Sequence, residues 1–106
     1  MSLASTSPPV LAIPNAIRRL VARLGTEPSV RRVILFGSRA RGTAQPRSDV
    51  DLAVEAPTAS TRDWLRLADM AEEADTLLSI DLVRLDEAPL ELRERILAEG
   101  QALYER

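Results

Sequence analysis

Two pairs of residues in the middle of the chain could do chemistry: Gly37-Ser38, and, after ten intervening residues, Asp49 and Asp51. In Asp49-Val50-Asp51-Leu52-Ala53-Val54, acidic and apolar residues alternate at first. On an extended strand, alternate side chains share a face, so Asp49 and Asp51 point one way and Val50, Leu52 and Val54 the other. The two carboxylates would then sit ~6.5–7 Å apart at Cα. That spacing suits joint binding of cations ~3.5–4 Å apart, as in phosphoryl-transfer sites. Hard oxygen ligands point to magnesium, with manganese as a substitute. Gly37 can adopt backbone conformations closed to other residues, which permits a sharp turn. Ser38 is a good N-cap for a short helix through Arg39, Ala40 and Arg41. The N–H groups at such a helix start favour an anion, most naturally a phosphate. Arg39 and Arg41 add fixed positive charge beside it.

The surrounding elements would fold the phosphate cradle and the metal platform together. Val33-Ile34-Leu35-Phe36 has the length and composition of a buried strand. Gly42 to Ser48 holds Pro46 and other turn formers and reads as a loop. Gly37 and Gly42 have the glycine spacing of a P-loop, but Thr43 stands where the lysine is required.

Upstream, Met1 to Ile13 reads as a loose arm, leaving 14–106 as one domain. Ile17, Leu20, Val21 and Leu24 follow an amphipathic helical period between Pro14-Asn15 and Gly25, with Arg18, Arg19 and Arg23 off that stripe as a solvated face. Downstream, Ser60 or Thr61 can cap a helix running to about Leu78, its buried stripe starting at Trp64. Ser79 to Leu85 reads as a third strand. It carries Asp81 among apolar neighbours, where an acid is costly unless it binds something. Pro89 opens a last helix, with Leu92, Ile96 and Leu97 inward, and Gly100 ends it. Gln101 to Arg106 reads as a short tail with Leu103 and Tyr104 packing back.

Composition removes several chemistries. The 106 residues include no cysteine and no histidine, so thiolate sites, zinc–histidine sites and histidine acid–base catalysis are excluded. No apolar run approaches a membrane span, and Met1 to Ser7 has no basic residue, so the expectation is a cytoplasmic protein without a signal peptide. The net charge of −2 is unevenly spread: residues 1–54 hold eight arginines against three acids, and residues 55–106 hold six against thirteen. The basic half carries the proposed phosphate site, which suits a nucleoside triphosphate. Aromatic residues make up 3%, too few for base stacking, and direct nucleic-acid binding is not expected.

Gly37-Ser38, ten residues, then Asp49-Val50-Asp51, set in the order strand, Gly-Ser turn, short helix, loop, strand, resembles the signature of the DNA polymerase β-like nucleotidyltransferase superfamily. The short chain is similar to its minimal nucleotidyltransferase group, best known as antitoxin partners of HEPN-domain toxins. The resemblance spans Val30 to Tyr104.

It implies an α/β (α+β) fold, a small mixed sheet of three or four strands flanked by helices. It implies transfer of AMP from Mg-ATP to a hydroxyl, a tyrosine of a partner HEPN toxin, with two Mg²⁺ ions at the site. In the family a third carboxylate joins the Asp-x-Asp pair from the next strand. Asp81 matches by position; it would bind metal and help deprotonate the attacking hydroxyl. Asp86 is the fallback, but it precedes a helix and looks like a cap. Gly37 and Ser38 would receive the phosphates, Arg39 and Arg41 the leaving group, and Ser48 would orient Asp49. Larger family members carry a second domain that clamps the acceptor, and a toxin partner would supply that surface here. Two alternatives stay open: an antitoxin that sequesters its partner without chemistry, and a small-molecule nucleotidyltransferase.

Overall fold

The computed structural model describes residues 13–106. The expected arm lies outside these residues except for Ile13, which is buried in the core. The elements in order are α1 (Asn15–Gly25), β1 (Arg32–Phe36), α2 (Ser38–Arg41), β2 (Val50–Glu55), α3 (Thr61–Glu72), β3 (Ile80–Arg84), one 3₁₀ turn (Leu85–Glu87), α4 (Leu90–Glu99) and β4 (Gln101–Glu105). The four strands form one mixed sheet in the order β3-β2-β1-β4. β1 runs antiparallel to β2 and β4, and β2 runs parallel to β3. A parallel pair needs a crossover, and α3 supplies it.

Strand alternation divides the sheet into two faces. Val33 and Leu35 of β1 and Val50, Leu52 and Val54 of β2 join Ile17, Leu20, Leu24 and Leu67 in the main core. Ile34 of β1 and Ala53 of β2 belong to a smaller cluster with Leu85 and Ile96, packed against by Phe36 and Leu92. Asp51 lies two residues from Ala53 and shares that second face. The helical period placed the main stripe of α1 correctly, with Ile17, Leu20, Val21 and Leu24 all buried. α3 opens with a capping box: Ser60 Oγ accepts from the Asp63 N–H, and the Asp63 carboxylate accepts from the Ser60 N–H.

The structure departs from the expected elements in three places. α3 stops at Glu72 rather than near Leu78. Its last turn has no basic residue, and Glu72, Glu73 and Asp75 crowd the negative end of its dipole. Ala74 and Leu78 still pack on the core, but from a non-helical segment. The C-terminal residues form strand β4 on the open edge of β1 rather than a loose tail. Arg106 fastens its end, donating to the carbonyls of Gly25, Val30 and Glu27 at 3.0–3.1 Å. Leu97 of α4 is exposed, so only Ile96 is fully buried on that helix. Gly100 lets the chain pass from α4 into β4 against β1: a Cβ there would strike Ile34 Cγ2 and come within 3.1 Å of the Leu35 carbonyl oxygen.

Asp86 is a structural clamp. Its Oδ1 accepts from the Ala56 N–H at 2.9 Å, and its Oδ2 accepts from Arg84 Nε at 3.0 Å. Arg84 also donates to the Ala56 and Ala59 carbonyls at 3.0 and 2.8 Å and lies over the Trp64 ring. The clamp therefore joins the exit of β2, the start of α3 and the end of β3. Partial burial alone would raise the Asp86 pKa, but the Ala56 N–H and the Arg84 guanidinium outweigh it and hold the carboxyl below its ordinary value. A depressed carboxylate stabilises the fold above its unfolded-state pKa and loses that contribution as pH falls through the folded value. Asp86→Asn is expected to cost about 1.5–3 kcal/mol at pH 7 in urea unfolding, the range for hydrogen bonds to a charged group. The gap to wild type should narrow as pH falls through the acidic carboxylate range; a gap unchanged in acid would contradict the clamp.

Candidate functional site

The β1–β2 register pairs Phe36 with Asp51, so the turn that follows Phe36 emerges beside the Asp51 carboxylate. Gly37 makes that turn at φ 77°, ψ −156°, a conformation that glycine adopts without strain. It is also forced to be small: a Cβ on Gly37 would land on Asp51 Oδ2 and lie 3.1 Å from Asp51 Cγ. Gly37, rather than Ser38, is the N-cap of α2. Its carbonyl accepts from the N–H groups of Ala40 and Arg41 at 3.1 Å, and Ser38 is the first helical residue.

The acidic residues meet at the same end of the sheet. Asp51 and Asp81 are register partners on the parallel strands β2 and β3, so they stand on one face. Asp49 lies just before β2, and the next residue's N–H donates to the Ser79 carbonyl at 2.9 Å, tying the starts of the two strands together. Asp51 is half-buried; Asp49 and Asp81 are exposed. The burial cost expected for Asp81 is therefore absent, because β3 is an edge strand. Burial pushes the Asp51 pKa up, and the charges of Asp81 and then Asp49 push it further, while Arg41 opposes them. Among the described residues no group of three or more acidic side chains already stands at metal-holding distance. The donor set nevertheless suits a hard cation in kind, since it offers carboxylate oxygens only and leaves like charges facing one another.

Arg39, expected at the leaving group, and Ser48, expected to orient Asp49, both make bonds with loop residues. Arg39 is buried, 6% exposed, and its guanidinium donates to the Ser48 carbonyl from Nη2 (2.9 Å) and Nε (3.3 Å) and to the Pro46 carbonyl from Nη2 (3.2 Å). The Ser48 hydroxyl accepts from the Gln45 N–H at 2.8 Å, inside the loop, rather than turning to Asp49. Arg41 is exposed on α2 and forms a 3.8 Å ion pair with Glu99. No residue type signals this tether of Arg39, because a carbonyl partner is common to every residue.

The family model described as "Polymerase beta, Nucleotidyltransferase" matches residues 18–106. The chain belongs to this nucleotidyltransferase family. Protein adenylyltransferase MntA of Shewanella oneidensis is 33% identical over 79 residues, covering 73% of this chain and 55% of that protein. The chain thus spans about half the length of that relative. Among solved structures, a crystal structure of a toxin–antitoxin with AMP-PNP is 30% identical with a TM-score of 0.64, covering 87% of this chain and 73% of that one. A structure described as a minimal nucleotidyltransferase is 31% identical with a TM-score of 0.63, covering 82% and 89%. A chain in the complex of tri-AMPylated Shewanella oneidensis HEPN toxin with MNT antitoxin is 26% identical with a TM-score of 0.59, covering 92% and 73%. The fold of the chain is the small mixed sheet anticipated from the sequence, with β4 as its fourth strand.

The crowding at Asp51 has a consequence for stability. A carboxylate whose pKa is raised by folding disfavours the folded state once it is ionised, and that cost disappears as pH falls and the proton is retained. Asp51→Asn should therefore raise the thermal midpoint at pH 7, and the advantage should vanish as pH falls into the range where the wild-type carboxyl takes up its proton. A lower midpoint for Asp51→Asn at pH 7 would mean that the carboxylate is held by favourable partners instead.

Proposed function

We propose that this chain transfers AMP from ATP to a hydroxyl on a partner protein, a tyrosine of a HEPN-type toxin, and thereby acts as an antitoxin. The observation that carries this reading is the seating of the Gly37 turn against Asp51, with Asp81 in register beside it. The turn read as accepting phosphate thus lies against one of the carboxylates read as the metal platform, which supports their acting together. The family match and the relatives, one a protein adenylyltransferase and others chains of toxin–antitoxin complexes, support the direction of the chemistry. ATP as the substrate agrees with a cytoplasmic setting.

Within this reading Gly37 and Ser38 receive the triphosphate, the absent Gly37 side chain allowing close backbone approach. Asp49, Asp51 and Asp81 are the residues that would hold two Mg²⁺ ions, or Mn²⁺ in their place. Such ions supply charge neutralisation of the triphosphate and a lowered pKa for the attacking hydroxyl. The hydroxyl oxygen forms a bond to the α-phosphorus, pyrophosphate departs, and the hydroxyl proton passes to the Asp81 carboxylate. Arg41, whose partner Glu99 is itself exposed, screens the leaving pyrophosphate. Arg39 and Ser48 contribute through the loop they order rather than through the nucleotide. The acceptor tyrosine must be held in line, and such positioning can supply several kcal/mol of the barrier.

A second reading, sequestration without chemistry, is favoured by one observation: among the described residues no three carboxylates stand at metal-holding distance. Intact-mass spectrometry of the toxin partner after incubation with this chain, ATP and Mg²⁺ separates the two. Nucleotidyl transfer predicts an added AMP with wild type and none with Asp81→Asn, although the Asp81→Asn complex still forms. No adduct with wild type, together with undiminished neutralisation by Asp81→Asn, would favour sequestration.

A further inference from the structure

α2 carries two devices on one short segment. Its start is the Gly37-Ser38 turn, and its body carries Arg39, which reaches across to the loop of residues 42–49. That loop has internal bonds, Ser48 N–H to the Gln45 carbonyl and Gln45 N–H to Ser48 Oγ, and Thr43 N–H returns to the Ser38 carbonyl. These bonds shape the loop but do not join its far end to the body of the protein. The Arg39 guanidinium does so, with both contacts to the Ser48 carbonyl falling on the residue immediately before Asp49.

We propose that Arg39 is a positioning residue: it latches the loop to α2 and so fixes where Asp49 stands relative to the Gly37-Ser38 turn. The inference rests on the reading of Asp49 as a ligand of the nucleotide-bound metal. A guanidinium is needed because its planar fork presents several donors in fixed directions, enough to grip the Ser48 and Pro46 carbonyls together. A lysine at the same place offers a point charge on a flexible stem and cannot reproduce the three contacts. The latch also couples the two halves of the site. A movement of α2 on binding phosphate is passed through Arg39 to Asp49, and disorder in the loop is passed back to the turn.

The test compares wild type with Arg39→Lys and Arg39→Gln in the full chain, using two readouts that do not depend on turnover. Hydrogen exchange of the amides in 43–49 reports the latch itself. Electron paramagnetic resonance titration of Mn²⁺, with and without the non-hydrolysable analogue AMP-PNP, reports metal affinity. The expected result is faster exchange confined to the loop and about tenfold weaker Mn²⁺ binding in the presence of the analogue, equivalent to about 1.4 kcal/mol. Arg39→Lys should not restore either property. Faster loop exchange with unchanged Mn²⁺ affinity would overturn the proposal, because the latch would then not govern Asp49. Failure of both variants to fold would overturn it too, since Arg39 would be serving the fold as a whole. If wild type takes up no Mn²⁺ with the analogue, the metal–nucleotide reading fails first and the proposal falls with it; loss of affinity only in the variants cannot arise that way.

Discussion

The whole site depends on one pairing register. In β1 and β2 the partners are Phe36 and Asp51, Leu35 and Leu52, Ile34 and Ala53. Because side chains alternate along a strand, a slip of one residue would turn Asp51 into the main core and Leu52 out of it. The buried side chains of Leu35, Leu52 and Val54 forbid that slip. The same register delivers Gly37 against the Asp51 carboxylate, where a Cβ would overlap an oxygen. Hydrophobic packing on one face therefore sets the geometry of polar groups on the other.

The second constraint is electrostatic. Parallel pairing of β2 with β3 sets Asp81 beside Asp51, and the exposed Asp49 adds a third negative charge. Burial first, and then the charges of Asp81 and Asp49, push the Asp51 carboxyl above its ordinary value, so folding alone gains nothing from this arrangement. Two other acids are held in the opposite way: Asp86 is gripped by a backbone N–H and Arg84, and Asp63 closes a capping box. Like charges gathered around a half-buried carboxylate, opposed only in part by Arg41, fit the proposed cation site, since perturbed groups concentrate at functional sites.

Much of this was legible in the sequence because it rests on short periods and local chemistry. The alternation through Val50, Leu52 and Val54, the stripe of α1 and the Ser60 cap all carry their own signal. β4 did not: Gln101 to Glu105 is an edge strand with only Leu103 and Tyr104 packing on the core, so its pattern is too short to read. The overlong helix after Ser60 has a related cause, since Ala74 and Leu78 continue the apolar stripe although the helix has ended at Glu72. Among the candidate site residues, Gly37, Asp49, Asp51 and Asp81 could be singled out by residue type and spacing alone. The use of Arg39 did not, because its partners are main-chain carbonyls that any residue could present.

The central claim is that the carboxylate end of the sheet and the Gly37 turn act together, through a divalent cation, on a nucleoside triphosphate. Calorimetric titration of ATP into the protein with Mg²⁺, with Mn²⁺, and with excess chelator tests it most directly. The account predicts binding with either cation, no binding in chelator, and weakened cation-dependent binding for Asp49→Asn and Asp51→Asn variants that remain folded. Equal ATP affinity in excess chelator, or undiminished affinity in both variants, would contradict it.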